Sequence, residues 1–317
     1  MRILITGATG FVGRHLWDHL QQAQPNATLH GTTFMNPPQS SAYTEIDLKD
    51  STAVLTLLDH LRPQAIYHLA GQAFVPRSFS DPWETLETNI RGQMNLLQAC
   101  HTLKLDCRVL IVSSAEIYGR IQPTDLPLRE SAPLQPLNPY SVSKAAQDLM
   151  ALQYHLCYGM PILRARPFNH IGPGQSEHFV ATAFAMQIAL IEHGLQEPII
   201  RVGNLSAQRD FTDVRDIVRA YHLLMERGAD GEAYNIASGR AYSIQTLLDT
   251  LLSFSGVQVT VEQDKARLRP VDTPIIIGDY SKLHAATAWQ PLMSFEDTLR
   301  DVLDDCRQRV RLNTYRS

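Results

Sequence analysis

The chain of 317 residues has no excess of positive charge: 28 Lys and Arg stand against 32 Asp and Glu, a formal net charge of −4 at pH 7. A surface built for nucleic acid needs a basic excess, so polynucleotide partners are not expected. Cysteine is scarce as well. Cys100, Cys107, Cys157 and Cys306 show no paired spacing, which argues against a disulfide framework and against a zinc ribbon. No run of 18 apolar residues occurs, and the first residues lead straight into a strand-like segment. Neither a membrane span nor a signal peptide is therefore expected. Internal repeats and low-complexity tracts are missing too. These absences predict a soluble, cytoplasmic protein without a metal site.

What is present is an alternation. Short apolar runs, RILIT (2–6), AIYHLA (65–70), RVLIVSS (108–114) and PILRARP (161–167), are separated by longer segments with apolar residues at helical spacing. That is the rhythm of parallel βαβ units, and the near-continuous Val, Ile and Leu of the runs fits strands covered on both faces. The expected fold is α/β, a doubly wound parallel sheet. Beyond about residue 170 the pattern loosens into helices with isolated strands, PIIRV (198–202), AYNIAS (233–238) and VQVTVE (257–262). The expected division is 1–168 for the first domain and 169–317 for a smaller α/β lobe closing over it, with some segments able to return to the first sheet.

The first strand runs into GATGFVG, with Gly7, Gly10 and Gly13 spaced by three and a helix expected from near Phe11. Glycines allow a tight turn and close backbone approach to a pyrophosphate, whose charge the unpaired N–H groups of a helix N-terminus favour. A strand before and a helix after make this a dinucleotide-binding (Rossmann) loop. About 20 residues on, an acid would hold the ribose 2′-hydroxyl of NAD. Thr33 stands there, in LHGTTFMN, so no carboxylate repels a 2′-phosphate and NADP is permitted. Arg14 either helps neutralise that phosphate or is a solvated helix residue. Asp47, in EIDLKD, either accepts a hydrogen bond from the adenine amine or caps the helix over STAVLTLL.

NPYSVSK (138–144) opens a second helix, with Asn138 as N-cap and Pro139 at its first position. Spacing of four puts Tyr140 and Lys144 on one face. A phenol ionises at about pH 10, and a nearby ammonium favours its anion, so the pair can handle a proton; alone it is as readily a surface pair. Upstream, SSAEIYG (113–119) places Ser113, Ser114 and Glu116 at the C-terminal edge of the sheet, where open α/β folds bind ligands. Ser114 would orient a substrate oxygen, Tyr140 move the proton and Lys144 tune Tyr140. Turn formation is the alternative for Ser114 and Glu116.

The glycine pattern, YHLAGQA (67–73), SSAEIYG and YSVSK together resemble the extended short-chain dehydrogenase/reductase family, from end to end. RPFNHIGPGQ (166–175), VGNLSAQRDFTDVRDIVRAY (202–221) and LRPVDTPIIIGDYSKL (268–283) resemble its branch of GDP-mannose 4,6-dehydratases and GDP-4-keto-6-deoxy-D-mannose reductases. The resemblance implies NADP(H) or NAD(H) as cofactor, NADP(H) slightly favoured, and a GDP-sugar as substrate. It implies cofactor contacts at Gly7, Gly10, Phe11, Val12, Gly13, Asp47, Leu48, Leu69, Ala70, Asn89, Tyr140, Lys144 and Pro167. Asn169, Val180, Arg209, Arg269 and Asp272 match positions that hold the nucleotide-sugar. Arg209 alternatively pairs with Asp210 or Asp213, although Asp213 is also the expected cap of the helix that follows. His170 is either a substrate contact or a buried structural histidine.

Glu116 matches the dehydratase glutamate, but similar 4-keto reductases keep one there. Three features favour the reductase: the compact chain, TTFMNPP in place of the dehydratases' Arg-Arg-Ser segment, and the wording of the second-half motifs. Phe34, where some relatives carry an arginine beside the 2′-phosphate, is a departure. The expected reaction is NAD(P)H-dependent reduction of the 4-keto group of GDP-4-keto-6-deoxy-D-mannose to GDP-D-rhamnose. A talose-configured product would require only the other face of the ketone. A dehydratase or epimerase, and outside enzymes a cofactor-binding redox sensor, are the alternatives. Segments 82–103 and 138–158 are candidate helices of a homodimer interface.

Overall fold

The structure, a computed structural model, describes residues 1–35, 37–268 and 273–313. The first half runs β1 (Arg2–Thr6), α1 (Phe11–Ala23), β2 (Thr28–Thr33), β3 (Tyr43–Glu45), α2 (Ser51–Leu61), β4 (Ala65–His68), α3 (Val75–Ser80) and α4 (Pro82–Leu86). A π-helical turn (Glu87–Arg91) then leads to α5 (Gly92–Thr102), β5 (Arg108–Val112), α6 (Pro139–Tyr158) and β6 (Ile162–Pro167). The second half runs β7 (Asn169–Ile171), α7 (Val180–Glu192), β8 (Ile199–Val202), β9 (Gln208–Asp213), α8 (Val214–Arg227), β10 (Ala233–Ile236) and β11 (Ala241–Ser243). It ends with α9 (Ile244–Ser253), β12 (Thr260–Gln263), β13 (Ile275–Ile276), α10 (Ser281–Thr287) and α11 (Phe295–Arg311).

Seven strands form the central sheet in the order β10-β6-β5-β4-β1-β2-β3, every pair parallel. The order reverses between β1 and β4, the switch point at which doubly wound sheets bind ligands. β4 and β6 are buried at every position, as strands with helices on both faces must be. On one face Ile5, Leu16, Tyr221 and Trp289 pack together; on the other Leu4, Ile66, Leu97 and Ala151 do. A third core, with Phe184, Leu248 and Leu303, joins α7, α9 and α11 in the second half. β10 comes from that half yet lies on the edge of the central sheet beside β6, so the chain returns to the first layer. β9 pairs with β7, β11 and β13 in a small mixed sheet.

Local chemistry sets the helix ends. Asn138 Oδ1 accepts from Ser141 N at 2.7 Å, Pro139 is the first helical residue of α6, and Gly159 closes the helix in the left-handed region at φ 65°. Asp213 caps α8, accepting from Arg215 N. α2 is capped by Asp50, whose carboxylate accepts from Thr52 N and Ala53 N, whereas Asp47 turns back to accept from Lys49 N at 2.9 Å. The capping alternative for Asp47 is thus filled by another residue.

A buried ionic cluster ties α6 to β6. Asp148, fully buried, accepts from Arg164 Nη1 at 2.7 Å and from Arg166 Nε and Nη2, both at 2.8 Å. Arg166 also donates to Tyr118 Oη and Glu130 O, and Arg164 to Gly231 O.

Candidate active site

The loop after β1 is shaped by close backbone contact. Gly7 sits at φ +70°, and a Cβ there would come within 3.0 Å of the Ala70 backbone. A Cβ on Gly13 would lie 2.2 Å from Gly7 O, so only glycine lets α1 start so near the strand end. Gly10, the N-cap of α1, offers no side chain to the first-turn N–H groups, which stay available to an anion. The cradle therefore fits the pyrophosphate of a dinucleotide. Phe11 and Val12 are partly buried, Val12 against the core under α1, and Phe11 stacks on His170 at 6.2 Å. His170 Nδ1 also meets Phe168 O at 3.0 Å, and burial lowers its pKa.

At the end of β2, the Thr9 hydroxyl donates to Thr33 Oγ1 at 2.9 Å and that of Thr33 to Met35 O at 2.8 Å. Phe34 and Met35 are exposed, and Arg14 reaches away to Gly174 O at 3.1 Å. Among the described residues at the end of β2 there is thus a threonine in place of an acid, and Arg14 is hydrogen-bonded to the loop before α7. Asp47 and Leu48 are half-buried beside this edge, and Leu48 Cβ lies against Gly92. Leu69 and Ala70 continue from β4 toward the glycine loop, Ala70 N donating to Thr6 Oγ1 at 3.2 Å.

The residues expected to handle the proton come together at the C-terminal ends of β4 and β5. Tyr140, Lys144 and Ser114 are all buried. Burial pushes the Tyr140 phenol up to about 12; the Ser114 hydroxyl beside it pulls the other way, and the carboxylate of Glu116 adds to the rise. Burial lowers Lys144 to about 8, and its ammonium donates to Val112 O at 2.9 Å. The group drawing the phenol down is therefore Ser114, with Lys144 directed at the strand backbone. Ser113 donates to Lys144 O at 3.1 Å, fixing α6 on β5. Ser114 also accepts from Glu116 N at 3.2 Å as the cap of a short 3₁₀ turn, so its turn-forming role coexists with its place at the site. Glu116, half-buried, accepts from Asn138 Nδ2 at 3.4 Å.

Asn89, in the π-helical turn, is completely buried. It accepts from Gln72 N at 2.7 Å and donates to Gln72 O and to Ser143 Oγ at 2.8 Å, which commits its amide to fixing the loop after β4 against α6. Gly71 lies beside this group: a Cβ there would be 2.8 Å from Asn89 Oδ1 and 3.8 Å from Lys144 Nζ. Gln72 and Ser143 were not singled out in the sequence. Their only signal is membership of YHLAGQA and YSVSK.

Pro167 ends β6, and Asn169 opens β7, exposed and opposite Phe211 of β9. Val180 starts α7, whose N-cap residue Phe179 makes no side-chain cap bond. Arg209 donates to Gln208 O and Thr273 O at 2.8 and 2.7 Å. The carboxylates proposed as its partners are engaged elsewhere, Asp210 by Ser238, Gly239 and Gly278, and Asp213 by Arg215 and Thr298. Arg269 and Asp272 lie outside the described residues.

The chain is 38% identical over 310 residues to the GDP-6-deoxy-D-mannose reductase of Pseudomonas aeruginosa, covering 98% of each chain. It is 32% identical to the GDP-6-deoxy-D-talose 4-dehydrogenase of Aggregatibacter actinomycetemcomitans, over 89% of this chain and 90% of that one. Among solved structures, RMD from Pseudomonas aeruginosa complexed with NADPH superposes with a TM-score of 0.87 at 37% identity, covering 97% of this chain and 99% of the other. The family described as GDP-mannose 4,6 dehydratase matches residues 4–302, and the chain belongs to that family, within the extended short-chain dehydrogenases/reductases.

Proposed function

We propose that the protein reduces the 4-keto group of GDP-4-keto-6-deoxy-D-mannose, with GDP-D-rhamnose as product. It is an NAD(P)-dependent oxidoreductase, and the reductive reading is carried by its 38% identity, over 98% of each chain, to a GDP-6-deoxy-D-mannose reductase; the Tyr140 phenol, protonated at neutral pH, is the proposed proton donor. The glycine cradle at Gly7, Gly10 and Gly13, with the free first turn of α1, would hold the dinucleotide, whose nicotinamide supplies the hydride to carbon 4. Tyr140 gives its proton to the carbonyl oxygen as charge develops there. The Ser114 hydroxyl hydrogen-bonds the same oxygen, a contribution of a few kcal/mol, roughly, in a site that excludes water. In the ligand-free protein it is Ser114 that draws the phenol down, and with the dinucleotide bound Lys144, one turn along α6, would supply a cation that favours the phenolate left behind. Its contact with Val112 O holds that cation in place.

Asn169, Val180 and Arg209 are the proposed nucleotide-sugar contacts, joined by Arg269 and Asp272. The free first turn of α7 at Val180 suits a diphosphate, and the Arg209 guanidinium does likewise. The second half, apart from β10 and the helices packed on the central sheet, would form the substrate lobe over the 1–168 unit. A homodimer is supported by a stripe on α6, where Val142, Leu149 and Leu156 recur every seventh residue at 44%, 54% and 72% exposure. Among the described residues no helix is long and apolar enough to cross a membrane, and the cytoplasm is the proposed compartment.

The test supplies NADPH or NADH with either GDP-mannose or its 4-keto-6-deoxy derivative and follows cofactor absorbance and sugar product. Stoichiometric cofactor oxidation with the keto-sugar alone is expected. Formation of the keto-sugar from GDP-mannose without net cofactor use would make the chain a dehydratase. Likeness to the talose enzyme supports one second reading, attack on the other ketone face, which the configuration of carbon 4 in the product decides.

A further inference from the structure

His68, the last residue of β4, takes no part in that proton transfer, yet it is buried beside Lys144. Its protonation follows from its neighbour. The Thr6 hydroxyl is fully buried, accepts from Ala70 N at 3.2 Å, and among the described residues has one other partner, His68 Nδ1 at 2.9 Å; donating to that nitrogen is the one arrangement that pairs the hydroxyl proton. Nδ1 is then an acceptor, and the imidazole proton sits on Nε2. Burial, with the nearby Lys144 charge as a second cause, pushes the ring down to about 3, so it is neutral at any working pH.

That Nε2–H is a buried donor without an acceptor. Among the described residues ten buried side-chain nitrogen or oxygen atoms lack a partner, and four of them belong to His68 (Nε2), Gln93 (Oε1) and Gln147 (Oε1 and Nε2). The three residues stand on β4, α5 and α6, the elements that pack together on one face of the sheet. His68 is on the face of β4 that carries Ile66, which packs with Leu96, Leu97 and Ala151 of α5 and α6. α5 and its π-helical turn are joined to α6 by two rungs, Asn89 Nδ2 to Ser143 Oγ and Gln93 Nε2 to Gln147 O, both 2.8 Å. Lys144 lies between the two rungs in sequence. A donor and amide groups of both kinds, sealed by an apolar layer, match what a buried water requires, two to four polar partners. Leaving all four atoms unmatched would cost about 1–3 kcal/mol each.

We propose that an ordered water buried between β4, α5 and α6 accepts from His68 Nε2–H and links it to the amides of Gln93 and Gln147, and that His68 is thereby a positioning residue for Lys144. The water completes the seat on which the first two turns of α6 rest, and with them the direction of the Lys144 ammonium and the Tyr140 phenol. Reacting groups tolerate little displacement: a shift of about 1 Å can cost 100-fold in rate. The role rests on the reductase reading; the tautomer and the water do not.

Two substitutions separate the nitrogens. His68→Asn keeps an acceptor for Thr6 and loses the far donor, whereas His68→Gln keeps a donor at the Nε2 position and loses the near acceptor. Both are expected to fold and to bind NADPH, measured by fluorescence titration. With the keto-sugar, His68→Gln should retain kcat within about threefold and His68→Asn should lose about tenfold, with KM unchanged in both. Equal losses, or a milder effect in His68→Asn, would overturn the positioning role. Independently of turnover, long-range nitrogen–proton NMR of histidine-labelled protein should show His68 neutral with its proton on Nε2 from about pH 5 to 8. A proton on Nδ1, a charged ring, or a high-resolution crystal structure lacking a water on Nε2 overturns the proposal even if the protein proves not to be a reductase.

Discussion

Replacing Asp148 by Asn tests whether the junction of α6 and β6 holds the site side of the sheet together. Asp148 is 0% exposed and its carboxylate receives three guanidinium N–H groups, from Arg164 and Arg166, at 2.7–2.8 Å. The amide removes the negative side chain that, among the described residues, bonds both buried cations, and puts an N–H₂ group against at least one of them. Breaking a buried ion pair from one side costs about 3–5 kcal/mol, because the charge left behind stays out of water. At roughly 2 °C per kcal/mol for a chain of this size, the melting temperature should fall by about 6–10 °C. Circular dichroism in urea and on heating, at neutral pH, measures both quantities. Asp59→Asn is the control: its partner Arg62 and Asp59 itself are about half exposed, so the loss should stay under about 1 kcal/mol. Exchanging Asp148, Arg164 and Arg166 together for apolar residues of similar volume should recover most of the deficit. An Asp148→Asn protein within 1 kcal/mol, roughly, of the parent would refute the cluster as the source of that stability.

Gly13→Ala should abolish NADPH binding or raise its Kd at least about 100-fold in fluorescence titration, since the new methyl would stand 2.2 Å from Gly7 O and must push α1 off the strand end; a Kd within about threefold would count against the cradle. The rate of ketone reduction should fall as pH rises through about 8, where the ligand-free protein loses the Lys144 charge, while Tyr140, held up to about 12, still carries its proton; a flat kcat/KM profile to about pH 10 would show that the charge is not needed. Leu149→Glu with Leu156→Glu should convert a dimer to monomer in light scattering without loss of fold, and an unchanged mass would remove the α6 stripe from the interface.

The glycine loop and the start of α6 were legible because their signals are local. A strand must precede Gly7 and an N-cap must precede Pro139, and both conditions are written within a few residues. Parallel order was legible as a class from the apolar runs, but the edge position of β10 was not, since AYNI carries no mark of its partner β6. The cap of α2 shows the limit of a local signal. Asp47 and Asp50 are the same residue three positions apart before one apolar run, and only the direction of the chain decides which carboxylate meets Thr52 N and Ala53 N. VQVTVE begins pairing only at Thr260, where β12 meets Ile199 of β8. Contacts spanning long separations were invisible. Thr6 and His68 are 62 residues apart, and nothing in ILRARP reveals that its two arginines point at one carboxylate on α6.

That helix explains why so much depends on so short a stretch. The sheet-facing side of α6 carries Tyr140, Lys144 and Gln147; Asp148 meets the β6 arginines; and Val142, Leu149 and Leu156 leave an apolar stripe exposed. Residues three and four apart share a face, so the ionic anchor and the sites proposed for proton transfer and association can be stacked on one helix without competing for positions. Because Asp148 lies one turn from Lys144, slack in the anchor must reach the ammonium. Asp148→Asn should accordingly lower kcat as well as stability, while the Leu149 and Leu156 substitutions, facing away from the sheet, should change mass and leave kcat unaltered. Loss of kcat in the leucine variants at full stability would mean that assembly itself completes the site.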